Sequence, residues 1–456
     1  MKNKIHEPLL ILLFSSAILA MVSFIPKSLT NFELPDYLSD LKETERKKAI
    51  HPEQKKYKGQ RDSSFIAPAK MLADTTVNSF GDLTNFFEAL YALQTNPNAI
   101  HIAYFGDSMI EGDLITMDLR SMLQKRFGGR GVGFMPMTSI TAGFRSTIKH
   151  EFNDLWLTSN FNEKTVKGKS LGWSGYCFTA PQGASTTYRK AKGYSAFNHV
   201  KAYLKNEFPT NLEITAGEHS FELNLTVSDS IQTIEISDSL EFDKLKIEVK
   251  SGNTDFYGLN FENGNGIYVD NYSFRGNSGI PLSTIDDNIF AFASKNLNCK
   301  LVVLHYGLNV VGHESGDYSW YLAPFRRTIR KIKAAFPNAT IVLASVGDKS
   351  FKYGNQYHTE PDIPLFVGMQ VKLAREENIV FWNMYKAMGG YDSMRRWVED
   401  SPKKAAKDYT HLNHAGAKEI ATLFYNWLME EYNIFLQKKL EEVSDANPKN
   451  EEILTQ

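Results

Sequence analysis

The sequence predicts an α/β protein in which a five-stranded parallel sheet lies between two layers of helices. Short apolar runs, each long enough for one buried strand, alternate with amphipathic helical patterns in two separate parts of the chain. The stretch between those parts differs, because polar and apolar residues alternate there between turn signals. That second pattern is typical of antiparallel strands, so we expect a β-sandwich module inserted into the α/β domain.

Composition and pattern divide the chain into six regions. They are, in order, a signal anchor (1–27), a charged linker (28–75), the first part of the α/β domain (76–141), the inserted β-rich module (142–266), the second part of the α/β domain (267–440) and a polar tail (441–456). The module follows the first strand–helix unit, so both parts of the α/β domain must contribute to one sheet.

The N-terminal residues have the pattern of an export signal. Lys2 and Lys4 precede an apolar run over residues 9–25, which Pro26 and Lys27 end. This length is at the lower limit for spanning a bilayer, and the segment is either an uncleaved membrane anchor, which we prefer, or a cleaved signal peptide. Both interpretations leave the rest of the chain outside the cytoplasm, at the periplasmic face of the inner membrane if anchored and secreted if cleaved.

Composition excludes some classes of partner and site. The 456 residues carry a formal net charge of -1, which argues against a nucleic-acid partner bound through bulk electrostatics. The two cysteines, Cys177 and Cys299, are too few for a disulfide framework or a zinc site. Cys299 precedes an apolar run and is best interpreted as a small buried side chain. If the protein is exported, a disulfide between the two cysteines is the alternative.

The module and its leading segment are rich in aromatic residues. These are Trp156, Trp173, Tyr176, Phe178, Tyr188 and Tyr194. Aromatic faces stack on sugar rings, so the set could form a carbohydrate-binding platform. The alternative is a sandwich core with ordinary surface tyrosines.

Ser108 is the first candidate for chemistry. An apolar run over residues 102–105 ends at Gly106, and a helical pattern begins shortly after Ser108. Gly106 permits a tight turn, and backbone N–H groups at a helix start can face a developing anion. Ser108 is then a nucleophile at the carboxyl edge of the sheet, or a residue that only caps an ordinary helix.

A serine nucleophile needs a base, and the base needs an acid that orients it. Asp408 and His411 lie three residues apart before the last long helical pattern and could supply both. Asn309 follows the apolar run 301–305 and could donate its side-chain amide to an oxyanion. Each could instead have only a structural role in its loop. Three other histidines lack an aspartate three residues earlier: His313, His358 and His414.

With these residues the chain resembles the SGNH (GDSL-like) hydrolase superfamily. Ser108 matches its block I serine, Asn309 its block III asparagine, and Asp408 and His411 its block V Asp-x-x-His pair. The resemblance implies a flavodoxin-like three-layer α/β/α fold. It also implies a catalytic triad formed by Ser108, His411 and Asp408.

The resemblance further implies an oxyanion hole. Its donors would be the backbone N–H of Ser108, the N–H of a block II glycine and the side chain of Asn309. Gly279, which closes the run Arg-Gly-Asn-Ser-Gly, is the best match to the block II glycine. Gly276, three residues earlier, is the alternative.

The activity implied by the resemblance is ester hydrolysis without a metal or an organic cofactor. The layout of an N-terminal membrane segment and a β-module inserted after block I is similar to bacterial O-acetylesterases of peptidoglycan and other cell-envelope glycans. It implies an acetylated polysaccharide or peptidoglycan as substrate. In those esterases a histidine often follows the block I serine, whereas Met109 stands here, so the subfamily stays open. The alternatives are a glycan O-acetyltransferase with the same triad and a non-catalytic glycan-binding or assembly protein.

Overall fold

The structure is a computed structural model that describes residues 77–163, 168–312 and 316–446, without the side chains of 238–240 and 443–446. The predicted anchor and linker, residues 1–75, lie outside the described residues, as do His313 and the tail beyond residue 446. No helix in the described ranges is long and apolar enough to cross a membrane.

The elements follow one another along the chain in three groups. The first group is α1 (Thr84–Ala92), β1 (Ala99–Gly106), a 3-10 turn (Ser108–Asp113) and α2 (Thr116–Phe127). The module contains β2 (Arg130–Met135), β3 (Ile148–Phe152), β4 (Leu157–Asn160), β5 (Tyr176–Pro181), β6 (Ser185–Lys190), β7 (Phe197–Lys205), β8 (Thr210–Ala216), β9 (His219–Leu225), β10 (Gln232–Phe242), β11 (Lys244–Ser251) and β12 (Asn253–Asn263). The last group is β13 (Gly266–Ser273), a 3-10 turn (Ile280–Thr284), α3 (Asp287–Leu297), β14 (Cys299–His305), α4 (Ser319–Ala335), β15 (Thr340–Ala344), β16 (Ser350–Tyr353), β17 (Gln356–Thr359), α5 (Asp362–Glu376), β18 (Val380–Trp382), α6 (Met384–Ala387), α7 (Ser393–Glu399) and α8 (His414–Ala446).

Five parallel strands form the central sheet of the described chain, in the order β13–β1–β14–β15–β18. Helix α8 contacts both α1 and α2, and α3, α4 and α5 form a second contiguous set. The strands are almost continuously buried, as expected for a parallel sheet covered on both faces. The predicted three-layer fold and its flavodoxin-like strand order are therefore confirmed.

The inserted module is an antiparallel β-sandwich, as predicted. One sheet has the order β10–β7–β12–β5–β4, with β2 also paired to β12, and the other has the order β3–β6–β11–β8–β9. Side chains from both sheets, among them Tyr188, Leu245 and Phe256, form a core of their own. Strand β2 already belongs to this sandwich and precedes the boundary expected at residue 142.

The sandwich packs directly on the α/β domain. Trp173 is fully buried and stacks on Phe292 of α3 at a centroid distance of 6.0 Å. Phe134 of β2 meets Tyr272 of β13 at 4.8 Å. These contacts belong to the same apolar core as the parallel sheet, so the module and the sheet share buried surface.

The six aromatic residues of the module do not form a platform. Trp156, Trp173, Phe178 and Tyr188 are buried, and Tyr176 is partly buried against Phe178 and Phe274. Only Tyr194 of this set is substantially exposed, at 40%. The interpretation as a sandwich core with a surface tyrosine is therefore correct.

One further expectation changes at a helix end, and the preferred interpretation of Cys299 as a buried side chain is confirmed. Helix α8 continues to Ala446, so the first residues of the predicted tail at 441–456 are helical. The stretch 389–407, which leads to Asp408, contains α7. Cys177 and Cys299 are both free and buried, so no disulfide joins them.

A buried ionic cluster lies where the module joins the sheet. His101 of β1 is 2.8 Å from Asp270 through Nδ1 and 3.4 Å from Glu262 through Nε2. Lys201 pairs with Glu262 at 2.8 Å. Burial alone would lower the pKa of His101, but the two carboxylates raise it to about 10. Burial opposes ionisation of Glu262 too, yet His101 and Lys201 lower its pKa to about 2.

We expect His101→Ala to destabilise the fold by about 3–5 kcal/mol, because it leaves buried carboxylates without their partner. A histidine whose pKa is raised on folding stabilises most below its ordinary value of 6.5, and that contribution is lost as the pH rises through about 10. The loss of unfolding free energy caused by His101→Ala should therefore become smaller as the pH rises between these two values. Denaturant unfolding at a series of pH values measures this loss. His219→Ala, at an exposed position on β9, is the control, and an equal effect of both substitutions would contradict the account.

Candidate active site

The candidate site lies at the carboxyl edge of three adjacent strands. Gly106, the last residue of β1, pairs with Ser273 at the end of β13 and with His305 at the end of β14. The three chain segments that follow these residues are therefore neighbours. They carry Ser108, the glycines of the 275–279 run and Asn309, so the structure brings these predicted residues to one edge.

A chain of hydrogen bonds joins Ser108, His411 and Asp408. Ser108 Oγ lies 3.0 Å from His411 Nε2, and His411 Nδ1 lies 2.7 Å from Asp408 Oδ2. The His411 side chain is 44% exposed and that of Asp408 is 50% exposed, so substrate can reach the imidazole from solvent. The arrangement has the connectivity that activates a serine hydroxyl: nucleophile, base and orienting carboxylate.

Asp408 is fixed by its own loop. Its Oδ1 accepts hydrogen bonds from the backbone N–H groups of Thr410 and His411, both at 3.0 Å. Partial burial opposes ionisation, but these donors and the imidazole hold the pKa of Asp408 below its ordinary value. The carboxylate therefore stays charged and can favour the tautomer that carries its proton on His411 Nδ1.

Tyr409 gives the same loop its sharp bend. It has a φ of 55°, in the left-handed region that non-glycine residues rarely adopt. The backbone N–H of Ser350 donates to the Tyr409 carbonyl at 3.0 Å. The ring of Tyr357 lies parallel to that of Tyr409, with centroids 3.5 Å apart and planes 2° apart. Strands β16 and β17 form a hairpin that supplies both contacts and thereby holds the loop between Asp408 and His411.

Asn309 is exposed at the edge of the sheet and is oriented by a buried carboxylate. Its Nδ2 donates to Asp107 Oδ2 at 2.7 Å and, more weakly, to the Asn277 carbonyl at 3.3 Å. Burial raises the pKa of Asp107 to about 6, although the Met109 N–H and Asn309 partly offset that rise. One amide hydrogen of Asn309 is thus held by Asp107. The other makes only the 3.3 Å contact with the Asn277 carbonyl, which an oxyanion can replace.

The structure does not favour the oxyanion role predicted for Gly279. Its N–H is buried and donates to Asn277 Oδ1 at 2.7 Å, so it cannot also face a substrate. Gly276 is exposed and has a φ of 71°. Its N–H forms no hydrogen bond within the described part of the chain. The alternative glycine is therefore the better candidate, because the side chain of Asn277 competes for the amide of Gly279.

Two acidic residues after Ser108 tie the surrounding segments together. Glu111 accepts from Arg275 through Nε at 2.9 Å and Nη2 at 2.7 Å, which links the serine turn to the loop of Gly276. Asp113 is fully buried and pairs with Arg120 at 2.7 Å and Arg145 at 3.1 Å. Neither residue is directed at Ser108 by a hydrogen bond, so both are supports of the site.

The described residues contain no group of three His, Cys, Asp or Glu side chains placed to hold a metal ion.

Sequence reasoning missed two supporting residues of the site. Asp107 could have been noticed, because it lies inside the Gly-Asp-Ser run beside the serine. Tyr357 gave no signal, since only the fold brings its hairpin onto the loop of His411.

Residues 251–419 match the GDSL-like lipase/acylhydrolase family. The match contains Asn309, Asp408 and His411, whereas Ser108 precedes it because the module separates them. A comparison with curated protein sequences returns no match.

Among solved structures, the chain is similar to a peptidoglycan O-acetylesterase, with 21% identity and a TM-score of 0.66, over 78% of this chain and 99% of the other. Lower similarity is found to an acetyl xylan esterase, with 20% identity and a TM-score of 0.27, over 35% and 79% of the two chains. A family two carbohydrate esterase from Clostridium thermocellum matches with 11% identity and a TM-score of 0.26, over 62% and 98%. The first similarity shows a shared fold, and the other two are too weak to support an argument.

Proposed function

We propose that this chain, a GDSL-like hydrolase of the SGNH fold, is a serine esterase that removes O-acetyl groups from a cell-envelope or extracellular polysaccharide. The observation that carries the proposal is the hydrogen-bonded chain from Ser108 through His411 to Asp408 at the edge of the parallel sheet. The shared fold with a peptidoglycan O-acetylesterase supports the choice of an acetylated glycan.

In the proposed mechanism, Ser108 Oγ attacks the ester carbonyl while His411 Nε2 takes the hydroxyl proton. His411 then returns that proton to the sugar hydroxyl that leaves, and an acetyl group stays on Ser108. Water, deprotonated by His411, attacks the acyl-enzyme, and acetate is released as the proton returns to Ser108. Asp408 stabilises the imidazolium in both steps. No metal or cofactor enters either step.

Three donors would stabilise the tetrahedral oxyanion: the N–H of Ser108, the N–H of Gly276 and Nδ2 of Asn309. Their segments follow neighbouring strands, and Asn309 contacts both Asp107 and Asn277, which flank the other two donors in sequence. Asp107 would act as a positioning residue, because its carboxylate fixes the orientation of the Asn309 amide.

We expect Asn309→Ala to lower kcat by about 10²- to 10³-fold, the loss typical of one oxyanion donor. KM should change little, because the donor acts mainly on charge that develops in the transition state. Initial rates with p-nitrophenyl acetate measure both constants. Asn224→Ala, on the exposed face of β9, is the control, and a kcat for Asn309→Ala close to that of the wild type would refute the role of this amide.

We expect Tyr357→Ala to lower kcat by about 10- to 100-fold, because the loop between Asp408 and His411 loses the ring that holds Tyr409. Tyr357→Phe keeps the stacking face and should retain most of the activity. The comparison of kcat and KM for the two variants with p-nitrophenyl acetate separates positioning from a general loss of folding. Equal kcat values for the alanine and phenylalanine variants would contradict a positioning role.

The proposed location is outside the cytoplasm. The apolar segment of residues 9–25 after Lys2 and Lys4 supports export, with either membrane anchoring or cleavage. A peptidoglycan or another envelope glycan is accessible there. Cell fractionation and N-terminal sequencing of the mature protein distinguish anchoring from cleavage.

The experiment that tests the function measures acetate released from O-acetylated peptidoglycan, O-acetylated xylan and p-nitrophenyl acetate, by the wild type and by Ser108→Ala. The proposal requires release from at least one glycan and its loss in the variant. Hydrolysis of the small ester alone, together with acetyl transfer to a glycan acceptor, would favour an O-acetyltransferase. A folded protein without Ser108-dependent turnover would favour a binding or assembly role.

A further inference from the structure

The loop between β2 and β3 brings an exposed aromatic side chain to the edge of the candidate active site. Phe144 is 49% exposed, and its ring stacks on the imidazole of His414 with centroids 5.0 Å and planes 20° apart. The ring also lies against the backbone of Gly112, where a Cβ atom would overlap it. Gly112 follows Ser108 by four residues, and His414 follows His411 by three. Phe144 therefore touches the continuation of both segments that carry the proposed nucleophile and base.

The loop that presents Phe144 is firmly anchored. The Arg145 side chain is only 9% exposed and pairs with Asp113 at 3.1 Å, and Thr147 Oγ1 donates to Asp113 Oδ2 at 2.8 Å. The Phe144 N–H donates to the Thr141 carbonyl at 2.9 Å and closes a turn. The Asp113–Arg145 pair therefore holds the loop that carries the half-exposed Phe144 ring, while the outer edge of the ring stays open to solvent. Preorganised aromatic groups of this kind lose little freedom when they bind a ligand.

The imidazole that Phe144 stacks on is exposed as well. His414 is the first residue of α8, and its ring borders the phenyl ring at the surface. An imidazole offers ring nitrogen atoms that can form hydrogen bonds with hydroxyl groups. The surface thus combines an aromatic face with a polar ring, which suits a ligand with one apolar face and several hydroxyls.

We propose that Phe144 and His414 form a subsite that binds a pyranose ring of the glycan beside the acetylated position. This inference rests on the proposed function and deepens it, because it assigns the part of the site that recognises sugar as opposed to the acetyl group. The C–H face of the pyranose packs on the Phe144–His414 pair, and a ring hydroxyl forms a hydrogen bond with a nitrogen atom of the His414 imidazole. A long acyl chain suits this surface less well, since the polar imidazole borders the phenyl ring.

The test compares two acetyl esters that differ in the sugar. One is p-nitrophenyl acetate, which has no pyranose, and the other is glucose pentaacetate, which presents one. Phe144→Ala in the full chain should raise KM for glucose pentaacetate by about tenfold, the size of one lost stacking contact, and leave kinetics with p-nitrophenyl acetate unchanged. His414→Phe, which keeps the aromatic face and removes the ring nitrogen atoms, should show a smaller change with the same selectivity. Phe221→Ala removes a similarly exposed ring from β9, at 45% exposure, and should change neither substrate.

The outcomes separate this subsite from the function itself. Equal losses on both esters in Phe144→Ala would mean that the ring only supports the segments of Ser108 and His411, and would overturn the proposal. Unchanged kinetics with glucose pentaacetate would overturn it as well, with the esterase intact. A wild type that hydrolyses p-nitrophenyl acetate but not the acetylated sugar would also count against the subsite. Failure of the proposed function shows separately, as absence of Ser108-dependent turnover on p-nitrophenyl acetate.

Discussion

Ser108→Ala should lower kcat for p-nitrophenyl acetate by about 10⁴-fold or more, because the variant cannot form the acyl-enzyme. His411→Ala should have an effect of similar size, since Ser108 Oγ loses the base that lies 3.0 Å away. The two side chains act as one unit in the proposed mechanism. The double variant should therefore be no slower than either single variant.

The measurement is the steady-state rate of the three variants beside the wild type, with circular dichroism to establish folding. His358→Ala is a matched control, because His358 Nδ1 also pairs with an aspartate, Asp392, at 3.0 Å. That second His–Asp pair has no hydrogen-bonded serine, and its loss should leave the rate near that of the wild type. Multiplicative losses in the double variant, or an equal loss in His358→Ala, would contradict the assignment.

Asp408→Asn should lower kcat by about 10³- to 10⁴-fold, somewhat less than the loss of the serine. In the wild type, one carboxylate oxygen accepts two backbone N–H groups while the other accepts His411 Nδ1–H. An asparagine has a single acceptor oxygen, so it can serve the backbone or the imidazole but not both. If its NH₂ group faces Nδ1, the proton moves to Nε2 and His411 can no longer accept the Ser108 proton.

The pH dependence of kcat for Asp408→Asn measures this effect, with Asp400→Asn at an exposed position as the control. Partial recovery at high pH is expected, because hydroxide can replace the missing base in the variant. If kcat of Asp408→Asn were within a few-fold of the wild-type value, the half-exposed Asp408 carboxylate would be dispensable.

The sequence carried enough information to predict the sheet and the hydrogen-bonded core of the site. The runs before Ser108 and Asn309 are apolar, as is typical of strands buried on both faces of a sheet. The end of each run therefore indicated both the end of a strand and a candidate site residue. Asp408 and His411 are local in sequence, and their spacing alone allows one to orient the other.

Features that depend on contacts between side chains far apart in the sequence, or on hydrogen-bond partners within a loop, could not be predicted. Gly276 is exposed, whereas Gly279 is buried and its amide donates to the side chain of Asn277, a difference that no sequence pattern reveals. The buried state of Trp173 and Tyr188 depends on how the sandwich packs against itself and against α3. Phe144 reaches the site through a buried pair, Asp113 with Arg145, that joins residues far apart in the chain.

The inserted module therefore contributes to the site through its loops. Phe274, beside the loop of Gly276, packs against Tyr176 of β5 at 5.0 Å and against Phe161 at 5.2 Å. The loop between β2 and β3 brings Phe144 onto the start of α8. Under the proposed function, changes in these loops are expected to alter the choice of glycan without altering the proposed chemistry at Ser108.

The most direct test of the central claim is covalent labelling with a fluorophosphonate, which reacts with activated serine hydroxyls. The account predicts stoichiometric loss of esterase activity and a single adduct on the peptide that contains Ser108, identified by mass spectrometry, with none in Ser108→Ala or His411→Ala. Esterase activity that survives full exposure to the probe, or an adduct on a different serine, would contradict the assignment of Ser108 as the nucleophile.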